Sequence, residues 1–469
     1  MRINIDPNSV AGLGTAERRM LQELLDIYKY HIARNEKKDR YYEGNIPLNS
    51  VNLGIALPKN IGRLEIGCAW GANTVDVLAG RSMFDGFVGA GGADVTFLNA
   101  IVRDNRLIAE YPKACIDELK YGCTFATLSA DTKIGCKIRW HSPMTAAAKW
   151  DGERGRIAYG MAVIATERIR QTQVDEPRLI NLYTDDAIWQ IVRNDKGWRA
   201  VRHPHQMGRP LMEPLVWNAT SGKPFGRSRI KDRIRKLIDG YIRTIANATI
   251  GLEFATSPQK YLLGVTDEQY DAIVDDKFRQ YVGAIIAATT NPETGEKPTF
   301  GQLPQGNITP HVEMLRALST QFSAATGLSV TDTGVVNDAN PTSSDAILAQ
   351  TQTLVGKAEK LNEGNGEALR TIALMATAIC NKTTLEKLTE EQRDVMAHFR
   401  NPARPNVAVT ADAAVKIASA RQSFAQTDVF LEMLGFDQAD VRRIKAQEQR
   451  ARGLALFDNL TEDEPNADQ

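Results

Sequence analysis

The sequence predicts an α+β chain, on three observations. Between about residues 64 and 217, short β-rich segments alternate with turn pairs such as Asp151-Gly152 and Lys196-Gly197, the texture of a mostly antiparallel sheet domain. From residue 228 onward apolar residues recur three and four apart, the period of amphipathic helices. With 469 residues, 43% of them hydrophobic, the chain has enough apolar material for the cores of roughly two to four domains.

Taken in order, the first helix is predicted over 16–31, where Met20, Leu21, Leu24, Leu25, Ile27 and Tyr28 form one broad apolar face. The charged run 34–40 behind it reads as solvated surface, followed by the aromatic pair Tyr41-Tyr42. Strands are expected at 124–128, 137–140, 156–166, 179–183, 187–192 and 198–201. A long helix then starts at 228, with Ser228 as its N-cap, and places Ile230, Ile234, Leu237, Ile238, Tyr241, Ile242, Ile245 and Leu252 on one face. Around its first turns Lys223, Arg227, Arg229, Lys231, Arg233, Arg235 and Lys236 make a dense basic cluster, relieved only by Asp232.

Pro258 ends that helix, and residues 258–308 form a small insertion: a helix over 267–288, a turn at 291–295, then extended chain to Pro304 and Gly306. The next helix opens with Thr309 as N-cap and Pro310 at its first position, shows Met314, Leu315, Leu318 and Phe322 on one side, and closes at Gly327. Residues 329–341 are rich in Asp, Asn, Thr and Gly and read as a loop too polar to bury itself. A long helix capped by Thr342 or Ser343 follows. Its heptad-like seam runs through Leu354, Ala358, Leu361, Asn365, Ala368, Ile372 and Ile379. Gly356, Gly364 and Gly366 each weaken that helix by roughly 0.5–1 kcal/mol relative to Ala, so a bend is expected there. Beyond Pro405 a helical region is expected over 412–452, and the acidic residues 461–469 read as a disordered tail.

Charge narrows the function. The chain has 57 Lys plus Arg against 57 Asp plus Glu, a balance that argues against clamping a nucleic acid and suits a surface past which a polyanion slides. Its five cysteines form no CxxC pair and are expected to be reduced, buried thiols. The start, MRINIDPNSV, has no basic-then-apolar signal, and the longest apolar run, 281–288, is too short to cross a bilayer; a soluble chain made in the cytoplasm is expected, with no membrane partner.

A search for chemistry finds none. Gly89-Ala90-Gly91-Gly92-Ala93 lacks the spacing of a phosphate loop, and Gly222 to Ser228 reads as a helix cap in preference to an anion site. His203-Pro204-His205 reads as a surface turn, and Asp185-Asp186 and Asp275-Asp276 as solvated carboxylates. No catalytic residue, metal site or cofactor is expected, which favours a structural role. The competing reading is a soluble α+β enzyme whose nucleophile or base hides among these turns.

A series of short motifs then points to a family. Asn73-Thr74-Val75-Asp76-Val77-Leu78-Ala79 precedes Gly86-Phe87; Tyr121-Gly122, Ser142-Pro143 and Trp150-Asp151 follow. Leu182-Tyr183-Thr184 comes next, then Phe225-Gly226-Arg227-Ser228, Pro258-Gln259-Lys260-Tyr261, Thr326-Gly327-Leu328 and Ser343-Ser344-Asp345-Ala346. In their order the chain resembles the portal proteins of long-tailed (siphovirus-type) bacteriophages across nearly its whole length. The resemblance implies an N-terminal region and α+β wing (1–227), a first stem helix (228–257), a clip (258–308), a second stem helix (309–328) and a tunnel loop (329–341). A long wing helix and connection (342–403) and a helical crown with acidic tail (404–469) complete it.

The resemblance further implies a ring, typically a dodecamer, at one vertex of the capsid in the virion, assembled in the host cytoplasm. Double-stranded DNA would pass through without sequence specificity. The terminase large subunit would dock on the clip, head-completion adaptors would later replace it, and major capsid and scaffolding proteins would surround the ring. The portal itself would hydrolyse nothing; the alternative among structural proteins is another head-to-tail ring adaptor, although such adaptors are usually much shorter. For individual residues it implies that Thr331, Asp332, Thr333, Asn337, Asp338 and Asn340 of the tunnel loop face the channel. It leaves two placements for Arg227, Arg229, Lys231, Arg233, Arg235 and Lys236: the channel wall, or a face toward the shell and neighbouring subunits.

Overall fold

The first helix runs well past its predicted end. In the computed structural model, which describes residues 3–47, 66–89, 95–168, 175–195, 197–256, 260–263, 295, 297, 299–302, 307–335, 344–403 and 407–462, α1 spans Thr15–Glu43. The charged run 34–40 continues it because Lys, Arg and Glu are good helix formers, and Gly44, at φ 73°, ends it in the left-handed conformation. Three helices then appear where the sequence suggested only β texture: α2 (Trp70–Ala79), α3 (Thr96–Asp104) and α4 (Leu107–Tyr121), with strand β1 (Phe84–Gly89) between the first two. α2 and α3 are only 10 and 9 residues long, α3 breaks from α4 at Arg106 (φ 54°), and the helical period of α4 is obscured by Pro112 within it.

The strands follow: β2 (Cys123–Asp131), β3 (Gly135–His141), β4 (Ala146–Asp151), β5 (Arg156–Arg168), β6 (Asp175–Tyr183), β7 (Ala187–Asn194), β8 (Gly197–Pro204) and β9 (Met212–Val216). Each expected strand is present and longer than expected. β4 and β9 were not expected, because β4 opens with three alanines of low β propensity and β9 contains Pro214. Pro214 is tolerated because β9 is an edge strand of the sheet β3-β2-β9. The strands β4-β5-β6-β7-β8 form a separate antiparallel meander.

After the sheets come α5 (Asp232–Thr256), the antiparallel pair β10 (Lys260–Leu263) and β11 (Thr299–Gln302), α6 (Thr309–Thr326) and the 37-residue α7 (Ser344–Cys380). Strand β12 (Val395–Phe399) returns to pair with β1, and α8 (Val407–Ala420), α9 (Asp428–Met433) and α10 (Gln438–Glu462) close the order. Residues 90–93, the predicted helix at 267–288, Pro258, Asp275-Asp276, the cap at Thr342 or Ser343, and residues 463–469 lie outside the described residues.

Two cores hold these layers. In one, Ile3, Ile5 and Val10 with Leu21, Leu24, Leu25 and Tyr28 of α1 cover one face of the five-stranded sheet through Met161, Ile180, Leu182 and Ile191. In the other, α2, α4, β2, α5, α6 and α7 share one apolar interior. Gly71 lets α2 cross α1, since any Cβ there would collide with the Tyr41 carbonyl. The seam of α7 is as expected, and its Asn365 is fully buried: Nδ2 donates to Tyr111 Oη (2.9 Å) and to Glu118 Oε2 (2.7 Å) on α4. Burial raises the Glu118 carboxyl to about 8, so it is a neutral acid at pH 7. The five cysteines are free thiols, and among the described residues no helix is long and apolar enough to cross a membrane.

Candidate functional site

The stem begins as two amphipathic helices that meet along their apolar faces. Ile234, Ile238 and Ile242 of α5 are buried, with Leu318 and Phe322 of α6 in the same core. Ser228 does not cap α5. Its hydroxyl is buried, donates to the Lys120 carbonyl (2.5 Å) and accepts the Ile230 N–H (2.9 Å), pinning the approach to the stem onto the end of α4; the helix itself starts four residues later, at Asp232. Gly122 (φ 113°) makes the contact possible, because a side chain there would press on the backbone of Arg227 and Ser228. Similarly Thr309 is the first residue of α6 and not its cap, which is Ile308, while Gly327 (φ 76°) closes the helix as expected.

Against this pair stands Trp70 of α2, with ring centroids 4.6 Å from Tyr241 and 4.5 Å from Phe322. Its Nε1 donates to the Thr333 carbonyl (2.9 Å), and Asn73 Nδ2 donates to the Asp332 carbonyl (2.7 Å). Ser319 Oγ and Thr333 Oγ1 share a hydrogen bond of 2.6 Å, and Thr333 is buried. Thr331–Thr333 therefore forms a 3-10 turn fastened to α2 and α6, which corrects the expectation that the loop is too polar to pack. The Asp332 carboxylate accepts the Ser329 N–H (3.0 Å), and Ser329 Oγ accepts the Asp332 N–H (3.3 Å). This reciprocal pair occupies Asp332 within its own turn. Asn337, Asp338 and Asn340 lie outside the described residues.

The basic cluster divides by position. Arg229 is 7% exposed; its Nε donates to the Thr74 carbonyl (2.5 Å) and its Nη2 to the Thr326 carbonyl (3.1 Å). Lys357 of α7 donates to the same Thr326 carbonyl (2.7 Å), and Arg233 reaches Ala325 O at 3.5 Å. Three cations thus converge on the C-terminal carbonyls of α6, where unpaired acceptors and the negative end of the helix dipole gather. Their crowding has a cost: burial, with Arg229, Lys231 and Arg233 beside it, lowers the Lys357 ammonium to about 8. Arg235 donates to the Ile230 carbonyl (3.0 Å) and, with Lys236, pairs Asp232 (3.1 Å each). Arg227 and Lys231 are exposed. Arg229 therefore belongs neither to a channel wall nor to an outer face, which corrects its placement with the others.

Elsewhere, Asp185 and Asp186 are not simply solvated: they pair with Arg154 (3.2 Å) and Arg202 (2.6 Å). Among the described residues no group of three or more His, Cys, Asp or Glu is placed to hold a metal. Trp70 and Lys357, which the sequence did not single out, and Asn73, quoted there only as the start of a family motif, act on partners far along the chain; Trp70 and Thr333 are 263 positions apart. A lone Trp ahead of a short apolar segment was the available signal.

No curated protein sequence matches the chain significantly. Among solved structures, similar chains come from the virion of a native gene transfer agent particle (11% identity, 86% of this chain and 93% of that one, TM-score 0.47) and the neck of the native particle computed with C12 symmetry (12%, 78% and 89%, 0.45). A third is from the neck of the empty particle computed with C6 symmetry (12%, 75% and 86%, 0.45). The family model described as phage portal protein, SPP1 Gp6-like, matches residues 21–453, and with nearly the whole described fold inside that span the chain belongs to this family of structural, non-enzymatic phage portal proteins.

Proposed function

We propose that copies of this chain close into a ring, twelve in the virion, at the unique capsid vertex, through which double-stranded DNA is packaged and later ejected. The family match over residues 21–453 carries the reading. Two features of the chain support it. Leu252 of α5 and Val312 and Met314 of α6 are exposed, apolar surface that a lone stem pair leaves in water and a neighbouring copy can cover. Between α5 and α6 the strands β10 and β11 pair antiparallel, which brings residues 260–263 and 299–302 side by side and supports reading 258–308 as a clip that docks the terminase large subunit and then head-completion adaptors. On this reading 1–227 with 342–403 is the wing, facing capsid and scaffolding proteins, 404–469 the crown, and assembly precedes entry into the virion, in the host cytoplasm. Light scattering of the purified protein tests it: a mass near twelve times the 51.8 kDa chain, with a central hole in negative stain, is expected, and a stable monomer at micromolar concentration overturns the ring.

A further inference from the structure

The two sheets leave a cleft between them that the portal reading does not use. Its cavity is about 790 Å³, walled by β2 and β3 on one side and by β5, β6 and β7 on the other, and closed by the turn after β8 and the residues following α7. The floor is apolar, with Ile164, Leu179 and Ile188. Lys137 and Arg139 of β3 line it, as do Lys382 and Lys387 after α7, and among the described residues none of the four is in an ion pair. Among the described residues Asp131 is the one carboxylate of the lining; its Oδ1 accepts the N–H groups of Lys133 (2.8 Å) and Ile134 (3.2 Å), and of the four cations Lys137 is the one whose charge it feels.

The wall also holds polar atoms without partners. Asn181 is 7% exposed; its Nδ2 donates to Tyr183 Oη (3.3 Å), while its Oδ1 has no partner among the described residues. His205 Nδ1 accepts the Met207 N–H (3.4 Å), which leaves Nε2 to carry the proton, buried and with no acceptor. Both atoms are themselves buried, so they sit behind the lining, and the cations at the cavity surface carry the recognition.

Chemistry and size select the ligand class. Unpaired cations around an apolar floor fit carboxylates alternating with apolar side chains. Among the described residues the lining has no Phe, Tyr or Trp; its only aromatic rings are the imidazoles of His203 and His205, the latter held through Nδ1 by the Met207 N–H. A cavity of about 790 Å³ has the size of a site for a small ligand or a short peptide segment, and is too small for a duplex whose major groove alone is about 12 Å wide. We propose that this cleft is a docking site for an acidic, partly apolar polypeptide segment of another protein.

The test is fluorescence anisotropy with the assembled protein and a labelled peptide of alternating Asp and Leu. Binding that weakens as salt rises is expected, with a loss of at least about tenfold in the double variant Arg139→Glu, Lys382→Glu, whose side chains are solvent-facing. Hydrogen exchange on the unmodified protein reads the same contact without a variant: the peptide should protect residues 137–139, 203–207 and 382–387. Equal binding of an alternating Lys and Leu peptide, unchanged binding by a folded double variant, or protection confined to other segments overturns the proposal. So does duplex DNA that displaces the peptide from these segments, which would make the cleft a phosphate site.

Discussion

At the scale of single residues, burial decides what a charge does. Arg229 and Lys231 stand two apart in one basic run, yet one bridges Thr74 and Thr326 inside the protein and the other faces water. Arg229→Met strips two buried carbonyls of a charged donor, and a stability loss of about 2–3 kcal/mol is expected, whereas Lys231→Ala should change it by about 0.5 kcal/mol or less. Denaturant titration of the two variants checks this; equal effects would return Arg229 to the surface cluster. Glu118 gives a pH signature. Its folded carboxyl titrates near 8 and its unfolded one near 4.5, so the native state holds the extra proton between those values and stability falls as pH rises through them, by up to about 1.4 kcal/mol per unit. His141 opposes it: burial lowers its imidazole from 6.5 to about 4, so the unfolded state holds the extra proton in that window and stability rises with pH there. The difference between Glu118→Gln and the parent isolates the carboxyl: the variant's melting temperature should gain on the parent from pH 5 to pH 8. A constant difference would mean that Glu118 is ionised in the fold.

At the scale of elements, the turn after α6 divides the predicted tunnel loop. Residues 331–333 are held by Trp70, Asn73 and Ser319, and Asp332 closes its own turn, so of the channel residues expected from the resemblance we propose that Asn337, Asp338 and Asn340 are the ones that meet DNA. Asp332→Lys should therefore destabilise by about 1 kcal/mol, the worth of a lost cap, while Asp338→Lys leaves the melting temperature unchanged and slows packaging by adding a phosphate contact. Melting curves beside packaged DNA length in vitro separate the two; a destabilised Asp338→Lys, or an undisturbed Asp332→Lys, would reverse the assignment. The stem pair shows why element prediction worked here: Ile234, Ile238 and Ile242 recur every four residues over a long helix, and that period survives in sequence whatever packs on it. For α2 and α3, of 10 and 9 residues, it did not, because they are too short to build a period; α4 has 15 residues and buries Leu107, Tyr111, Ala114, Cys115 and Leu119 at helical spacing, but Pro112 inside it and the small and polar residues in its stripe mask the period. The strand β1 was missed because its partner β12 lies beyond α7.

At the scale of the whole molecule, membership of a non-enzymatic family removes the enzyme alternative, and a balanced charge suits passage better than capture. The assembled protein should bind duplex DNA no more tightly than about 10⁻⁶ M at physiological salt, without sequence preference. A filter-binding titration giving a nanomolar, sequence-specific complex would contradict it. The sequence by itself determined the α+β class, the two long amphipathic helices α5 and α6, the seam of α7, and, through motif order, the family. These are properties of local period and order along the chain, which one sequence carries directly. Tertiary structure alone decided which cations are buried and which exposed, that residues 331–333 are anchored by a tryptophan 263 positions away, and that the cations of β3 and those after α7 share one cleft. Those outcomes depend on which distant surfaces meet, and desolvation, the term that turns one arginine into a helix cap and leaves its neighbour in water, exists only once they have met.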